Sequence, residues 1–264
     1  MGDEGWASRI AACDFRDATI FHLAARVHAP GDDEALFHRD NVVKTRALLD
    51  AAVQGGARRF VLLSTAKVFG DSSARPFTPE DPPAPGDVYA RSKAEAEDLV
   101  RDACARAGMA FAVVRPPLVY GAGAAGNLRS LVALVDTPWP LPFAALEAPR
   151  SFVHVDDLAR LLALCADRDA IPALLLAAHP EPMTVRFVAE RLRAALGRPR
   201  RLFAVPPRVL GGLAALLGRR AQARRLLEPL EVDASATRRV MGWEPRVGPG
   251  AAVDELAGRR GASP

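Results

Sequence analysis

Lysine is nearly absent from this chain: 264 residues hold three, Lys44, Lys67 and Lys93. The positive charge is almost all arginine and alanine is abundant, so the net charge of +4 reflects a high-GC composition more than a polyanion partner. No Lys/Arg run is longer than two or three residues and none is interleaved with aromatics, which argues against nucleic acid as a partner. Cysteine is as scarce. Cys13, Cys104 and Cys165 lack metal-ligand spacing, and an odd number leaves one unpaired in any disulfide scheme, so reduced thiols in a cytoplasmic protein and no metal site are expected. No apolar run approaches the ~20 residues that cross a bilayer, so no membrane partner is expected. The opening Met1-Gly2-Asp3-Glu4-Gly5 is acidic and does not read as a signal peptide.

What is present suits a sizeable folded core, since half the residues are hydrophobic. Residues 18–24 and 59–64 read as buried strands, 41–54 as a helix stopping at Gly55-Gly56, and 110–115 as a further strand. Asp87 is placed to cap a helix running to about Ala107, closed by Gly108. Alternating strands and helices imply an α/β protein with a parallel sheet covered on both faces. Beyond Pro117 the pattern loosens into a glycine loop (121–126), a proline-rich stretch (136–149), a helix (157–166), a last strand (173–178) and helices at 184–196, 207–217 and 234–241.

Tyr89 and Lys93 stand four residues apart, one turn from each other on one helix face. An ammonium that close is expected to favour the phenolate, lowering the phenol from its usual pKa of about 10 and making a proton-transfer group. Upstream, an apolar strand runs into the hydroxyl pair Ser64-Thr65. Downstream lie Val113-Val114-Arg115-Pro116-Pro117 and Arg150-Ser151-Phe152-Val153-His154-Val155-Asp156-Asp157.

This ordered set resembles the extended short-chain dehydrogenase/reductases, the NAD-dependent epimerase/dehydratase family, and within it the nucleotide-sugar epimerases, over about 20–256. The resemblance implies a Rossmann-type parallel sheet flanked by helices with a smaller, mostly helical substrate lobe. Residues 1–120 would form a partial dinucleotide-binding domain and 121–264 the lobe, with about 152–178 returning to the sheet. It implies Tyr89 as acid/base, Lys93 on the nicotinamide ribose, and Thr65, with Ser64 beside it, at the reacting oxygen. His22, Leu23, Ala24, Asn41 and Pro116 would lie against the cofactor together with Tyr89 and Lys93. Asn127 and Arg150 would bind the nucleotide diphosphate of a UDP-linked sugar, the guanidinium fork suiting that task. His154 and Asp157 are assigned to structure. The cofactor is expected to be NAD, with NADP left open, and the assembly a homodimer built on the 41–52 and 89–107 helices.

Three departures qualify the resemblance. No G-x-x-G-x-x-G turn precedes the 18–24 strand, so the pyrophosphate cradle is missing and that strand should be an exposed apolar edge. Met1 internal to a longer reading frame, a truncated remnant, or a second polypeptide supplying the missing strands would each account for this. Leu118 stands where the family often has a polar asparagine. Ala66 and Lys67 follow Thr65 where nucleotide-sugar dehydratases place an Asp-Glu pair, which argues for hydride chemistry at a sugar carbon and against dehydration. Two alternatives stay open: a reductase of a steroid-like or other apolar alcohol, suggested by Leu118 and the Trp139–Phe143 stretch, and a non-catalytic remnant.

Overall fold

The computed structural model describes residues 5–258 apart from 30, 32, 122–126, 217 and 219. Its centre is a parallel sheet of four strands: β1 (Thr19–His22), β2 (Arg59–Leu63), β3 (Ala110–Arg115) and β4 (Leu174–Leu176), side by side in that order. Val61 pairs with Phe21 on one side and Ala112 on the other, and Val114 pairs with Leu175.

The strands read as continuous apolar runs because both faces are covered. Side chains alternate between the faces. Phe60 and Leu62 of β2 point into a cluster with Leu49, Val100 and Cys104, whereas Val61 joins Val114, Leu158 and Leu161 on the opposite side. The first cluster is roofed by α1 (Trp6–Ala11), α2 (Lys44–Gln54) and α3 (Val88–Ala107), the second by α4 (Val155–Asp167). Each such Phe or Leu buried contributes roughly 1.5–3 kcal/mol.

β1 is an edge among the described strands, and only His22 in it is buried, Phe21 being exposed. The expected buried strand over 18–24 is therefore shorter and more open than its hydrophobicity suggests. Before β2, the chain enters its helix at Glu34–His38, capped by Asp33, and passes through a π turn over Arg39–Val43 into α2. The helix thus begins earlier than residue 41. The extra residue of the π turn shifts the helical phase between Phe37 and Thr45, so the two ends of this helix do not follow one 3.6-residue pattern.

α3 matches its sequence limits closely. The Asp87 carboxylate accepts from Ala90 N at 2.8 Å, and Gly108 takes the left-handed conformation (φ 65°) that closes the helix. Leu118–Tyr120 and Phe152–His154 form a separate parallel pair, overlooked in the sequence because each strand is three residues long. The remaining helices are α5 (Asn127–Val135), α6 (Val185–Ala195), α7 (Pro207–Leu216), α8 (Arg220–Leu227), α9 (Ser235–Met241) and α10 (Pro249–Gly258). Val188, Leu192, Val253 and Phe152 join a third core cluster there. His154 caps α4 and reaches Glu255 at 2.8 Å. Asp157 accepts from Arg246 N and Val247 N at 3.0 Å each, so both residues tie the C-terminal segment to the body.

Candidate active site

The loop leaving β2 and the first turn of α3 meet where the sheet strands end. Thr65 caps a short 3-10 turn (Ala66–Phe69), accepting from Lys67 N, and its hydroxyl lies near enough to the Tyr89 phenol to act on its pKa. That turn is anchored from β3 by Ala66 N donating to Pro116 O at 2.8 Å. Tyr89 is itself held through its backbone. Its carbonyl accepts from the Ser92 hydroxyl (2.8 Å), which accepts from Asn41 Nδ2 (2.9 Å).

Lys93 lies one turn below Tyr89 and is almost fully buried, 1% exposed. Burial pulls its pKa down to about 8, an effect opposed by the nearby Glu97 charge. Among the described residues, no hydrogen-bond partner reaches its ammonium. Glu97, a further turn on, is buried and receives Arg115 Nε at 3.0 Å, Arg115 Nη2 at 2.5 Å and the Ser64 hydroxyl. The Arg115 guanidinium also lies 4.3 Å from the centre of the Phe69 ring. A charged floor therefore supports Lys93 from α3, β2 and β3. Sequence reasoning missed Glu97, although Tyr89, Lys93 and Glu97 at four-residue steps mark one face, and a carboxylate at a core-facing position is the available signal.

Several expectations need correction. Tyr89 is not pushed toward phenolate in this structure. Burial and then the Asp87 charge raise it to about 12, and the Thr65 hydroxyl acts the other way. Ser64 donates to Glu97, which makes it part of the floor and not a donor to the reacting oxygen. Asn41 spends its whole amide on structure, accepting from Arg26 N (2.7 Å) and donating to Arg26 O (3.0 Å) and Ser92. It therefore clamps the loop after β1 to α3, with both amide hydrogens committed there. His22 turns inward to Thr45 Oγ1 at 2.8 Å, while Leu23 and Ala24 beside it are exposed at the end of β1. Arg150 is half-buried and donates to Glu228 O at 2.7 Å. Asn127 opens α5, but its side chain, like 122–126 of the glycine loop, falls outside the described residues. Lys67 pairs with Asp87 and, at 3.5 Å, with Asp71, so the position where a dehydratase carries a carboxylate holds an ammonium.

Burial and then the Lys93 charge lower the His22 pKa to about 4 from 6.5. The unfolded chain therefore binds the extra proton between pH 6.5 and 4 and the folded one does not, so stability falls as pH drops through that window. The full loss is about 3 kcal/mol. Urea melts at pH 7 and pH 4.5 should show this, and His22→Asn should remove most of the difference. An equal pH response in that variant would show that other groups carry it.

The model of the NAD dependent epimerase/dehydratase family matches residues 6–173. The chain belongs to that family. Among curated proteins, the UDP-glucose 4-epimerase of Vibrio cholerae is 32% identical over 234 residues, 86% of this chain and 71% of that protein. A ketoreductase of Stigmatella aurantiaca, acting on a farnesylated dihydroquinoline oxide, is 33% identical over 178 residues, 66% of this chain and 47% of that one. Among solved structures, the dTDP-glucose 4,6-dehydratase DesIV of Streptomyces venezuelae superposes with a TM-score of 0.76 at 23% identity, covering 97% of this chain and 78% of that one. A UDP-N-acetylglucosamine 4-epimerase of Bacillus cereus gives 0.73 at 19%, covering 90% and 77%. At such identities the structures establish a shared Rossmann-like fold. In this member of the family, the turn that follows β2 brings Thr65 close to Tyr89 at the head of α3.

Proposed function

We propose that the chain acts on a nucleotide sugar, epimerising or oxidising and reducing one sugar carbon with NAD or NADP. The observation that carries this reading is the Thr65–Tyr89 hydroxyl pair beside the ammonium of the buried residue Lys93, which has no hydrogen-bond partner among the described residues. That ammonium fits the ribose hydroxyls at the nicotinamide end of a dinucleotide, and the exposed Leu23 and Ala24 fit an apolar wall beside it. The G-x-G-x-x-G run at 121–126 follows the third sequence-read strand and is read as part of the substrate side, so no residue is assigned to that end of the cofactor.

When bound, the nicotinamide accepts hydride from the sugar carbon and can return it. Tyr89 moves the hydroxyl proton. With its pKa near 12 it stands protonated at neutral pH, poised to donate to a ketone oxygen. For the reverse step it must give up that proton first, a change that burial and then the Asp87 charge oppose and Thr65 favours. Thr65 holds the same substrate oxygen through its shared hydroxyl. Arg150, near Tyr120 and Glu228, is the proposed diphosphate contact. The ammonium of Lys67 in place of a carboxylate supports epimerisation or redox chemistry over dehydration.

The test is calorimetric titration of NAD and of NADP into the purified chain, followed by NMR of UDP-glucose incubated with chain and cofactor. Binding of one cofactor with appearance of the C4 epimer is expected. Absence of cofactor binding favours a non-catalytic chain and ends this reading. The exposed Leu118 and the similarity to the Stigmatella ketoreductase favour a second reading, an apolar alcohol as substrate. Thermal stabilisation by a hydrophobic ketone but by no nucleotide sugar, with NAD present, would select it.

A further inference from the structure

Between Glu190 and Glu228 the sequence holds ten arginines and no acidic residue. This stretch covers α7 and α8, and it carries an apolar face that the fold leaves bare. α7 buries none of its side chains. Leu210 leans on the third core cluster, while Val209, Leu213 and Leu216, at positions i, i+4 and i+7, form one outward stripe. Leu213 is 54% exposed and Leu216 85%.

The stripe does not stand alone. Leu202 pairs with Leu141, and Phe203 N donates to Leu141 O at 3.0 Å, which brings the segment before α7 alongside the Trp139 loop. Arg193 Nη2 fastens that loop through Trp139 O at 2.5 Å. Phe203 is half exposed and Trp139 is 73% exposed. An indole and aliphatic side chains presented to solvent from neighbouring segments are the composition of a surface that meets the boundary between water and lipid.

The unpaired charges around it are positive, and the acids that share a pocket with Arg200, Glu190 and Asp254, are paired with Arg186 and Arg191. Arg200, Arg201 and Arg208 are exposed and form no ion pair among the described residues. The acids nearest in sequence are committed: Asp136 to Arg198 at 3.0 Å and Glu228 to Arg224 at 3.0 Å. Burial and then the Arg201 and Arg198 charges lower the pKa of the buried Arg193 guanidinium, a sign of the positive field at the base of the patch.

We propose that the Trp139–Phe203–α7 face docks this protein on an anionic lipid surface. The face joins arginines facing solvent to leucine and tryptophan that can enter the headgroup region, the pairing such a surface selects. A second copy of the chain fits poorly, because a twofold contact sets this patch against itself and opposes arginine to arginine. Nucleic acid fits poorly as well: the apolar groups are mainly aliphatic and offer few stacking platforms. No described helix is long and apolar enough to cross a membrane, so the contact is peripheral.

Flotation of the purified chain with phosphatidylcholine vesicles, with and without about one third phosphatidylglycerol, tests this. Flotation is expected only with the anionic vesicles, weakening at high salt. It should come with a blue shift in tryptophan emission that Trp139→Phe abolishes, since Trp243 is buried and Trp6, half-buried, opens α1, away from this face in the sequence. Leu213→Glu with Leu216→Glu should lower partitioning at least about tenfold, with an unchanged melting temperature. Leu213→Gln with Leu216→Gln gives the same comparison with no added charge. No flotation on anionic vesicles overturns the proposal. So does flotation indifferent to the leucine changes, equal displacement by single-stranded DNA or an acidic polypeptide, or a soluble dimer that Leu216→Glu dissociates.

Discussion

Tyr89→Phe is expected to cut turnover by about 10²–10⁴-fold, the usual contribution of a positioned acid/base. The loss should fall on kcat, because the ring still packs against Phe37 (centroids 6.3 Å apart) and Lys93 is left in place for the cofactor. Stability separates a chemical role from a structural one. The folded phenol holds its proton to about pH 12, whereas an unfolded tyrosine releases it near 10. The unfolded state therefore binds fewer protons between pH 10 and 12, and the parent loses stability as pH rises through that window. Phenylalanine has no proton to lose, so the variant should be at least as stable as the parent above pH 10. Retained turnover in Tyr89→Phe would remove the phenol from the mechanism, and a collapsed melt at pH 7 would make Tyr89 a structural residue. Kinetics at saturating NAD and urea melts at pH 7 and pH 11 decide the matter.

Glu97→Leu should destabilise the fold by roughly 3–5 kcal/mol, because it strands the buried Arg115 guanidinium. The double change Glu97→Leu with Arg115→Leu should recover most of that loss, since replacing a whole buried pair with apolar groups is often close to neutral. Stability alone would leave Glu97 a structural acid, but its effect on Lys93 adds a second readout. Lys93 titrates at about 8 in the fold against 10.5 when free, and the Glu97 charge keeps it from falling lower. A lysine depressed in the folded state weakens the fold below its folded pKa and ceases to do so as pH rises toward the unfolded value. In the parent this relief begins near pH 8. In the double variant it should begin at lower pH, because the supporting carboxylate is gone and the burial remains. With only three lysines in the chain, acetylation followed by mass spectrometry against pH reports Lys93 directly. Faster labelling at neutral pH is expected in the double variant. Unchanged labelling would confine Glu97 to its ion pair with Arg115.

The elements read most accurately from the sequence were those bounded by local chemistry. α3 followed from Asp87 and Gly108, and β3 was placed at 110–115 because its apolar run is framed by Gly108 and Pro116. The Tyr89-x-x-x-Lys93 spacing was legible for the same reason, since helix geometry alone puts the two on one face. The π turn in front of α2 was not legible, because its one extra residue shifts the helical phase. Nor were the three-residue strands Leu118–Tyr120 and Phe152–His154, which are too short to show a period.

For the site, the residue types and their order were local information, enough to place the chain in its family. Their electrostatic states were not. Sequence spacing predicted an acidified Tyr89, yet the fold buries the phenol beside Asp87 and reverses the shift. It offered Ser64 and Asn41 as chemistry, yet their partners, Glu97 and the Arg26 backbone, come from segments 33 and 15 residues away. Which groups lie one helical turn apart could be read from the order of residues alone, because a covalent chain wound at a fixed pitch leaves no choice. Which of them keep a free hydrogen-bonding group, and how much water surrounds each charge, depend on burial and long-range pairing, and those exist only once distant segments have packed together.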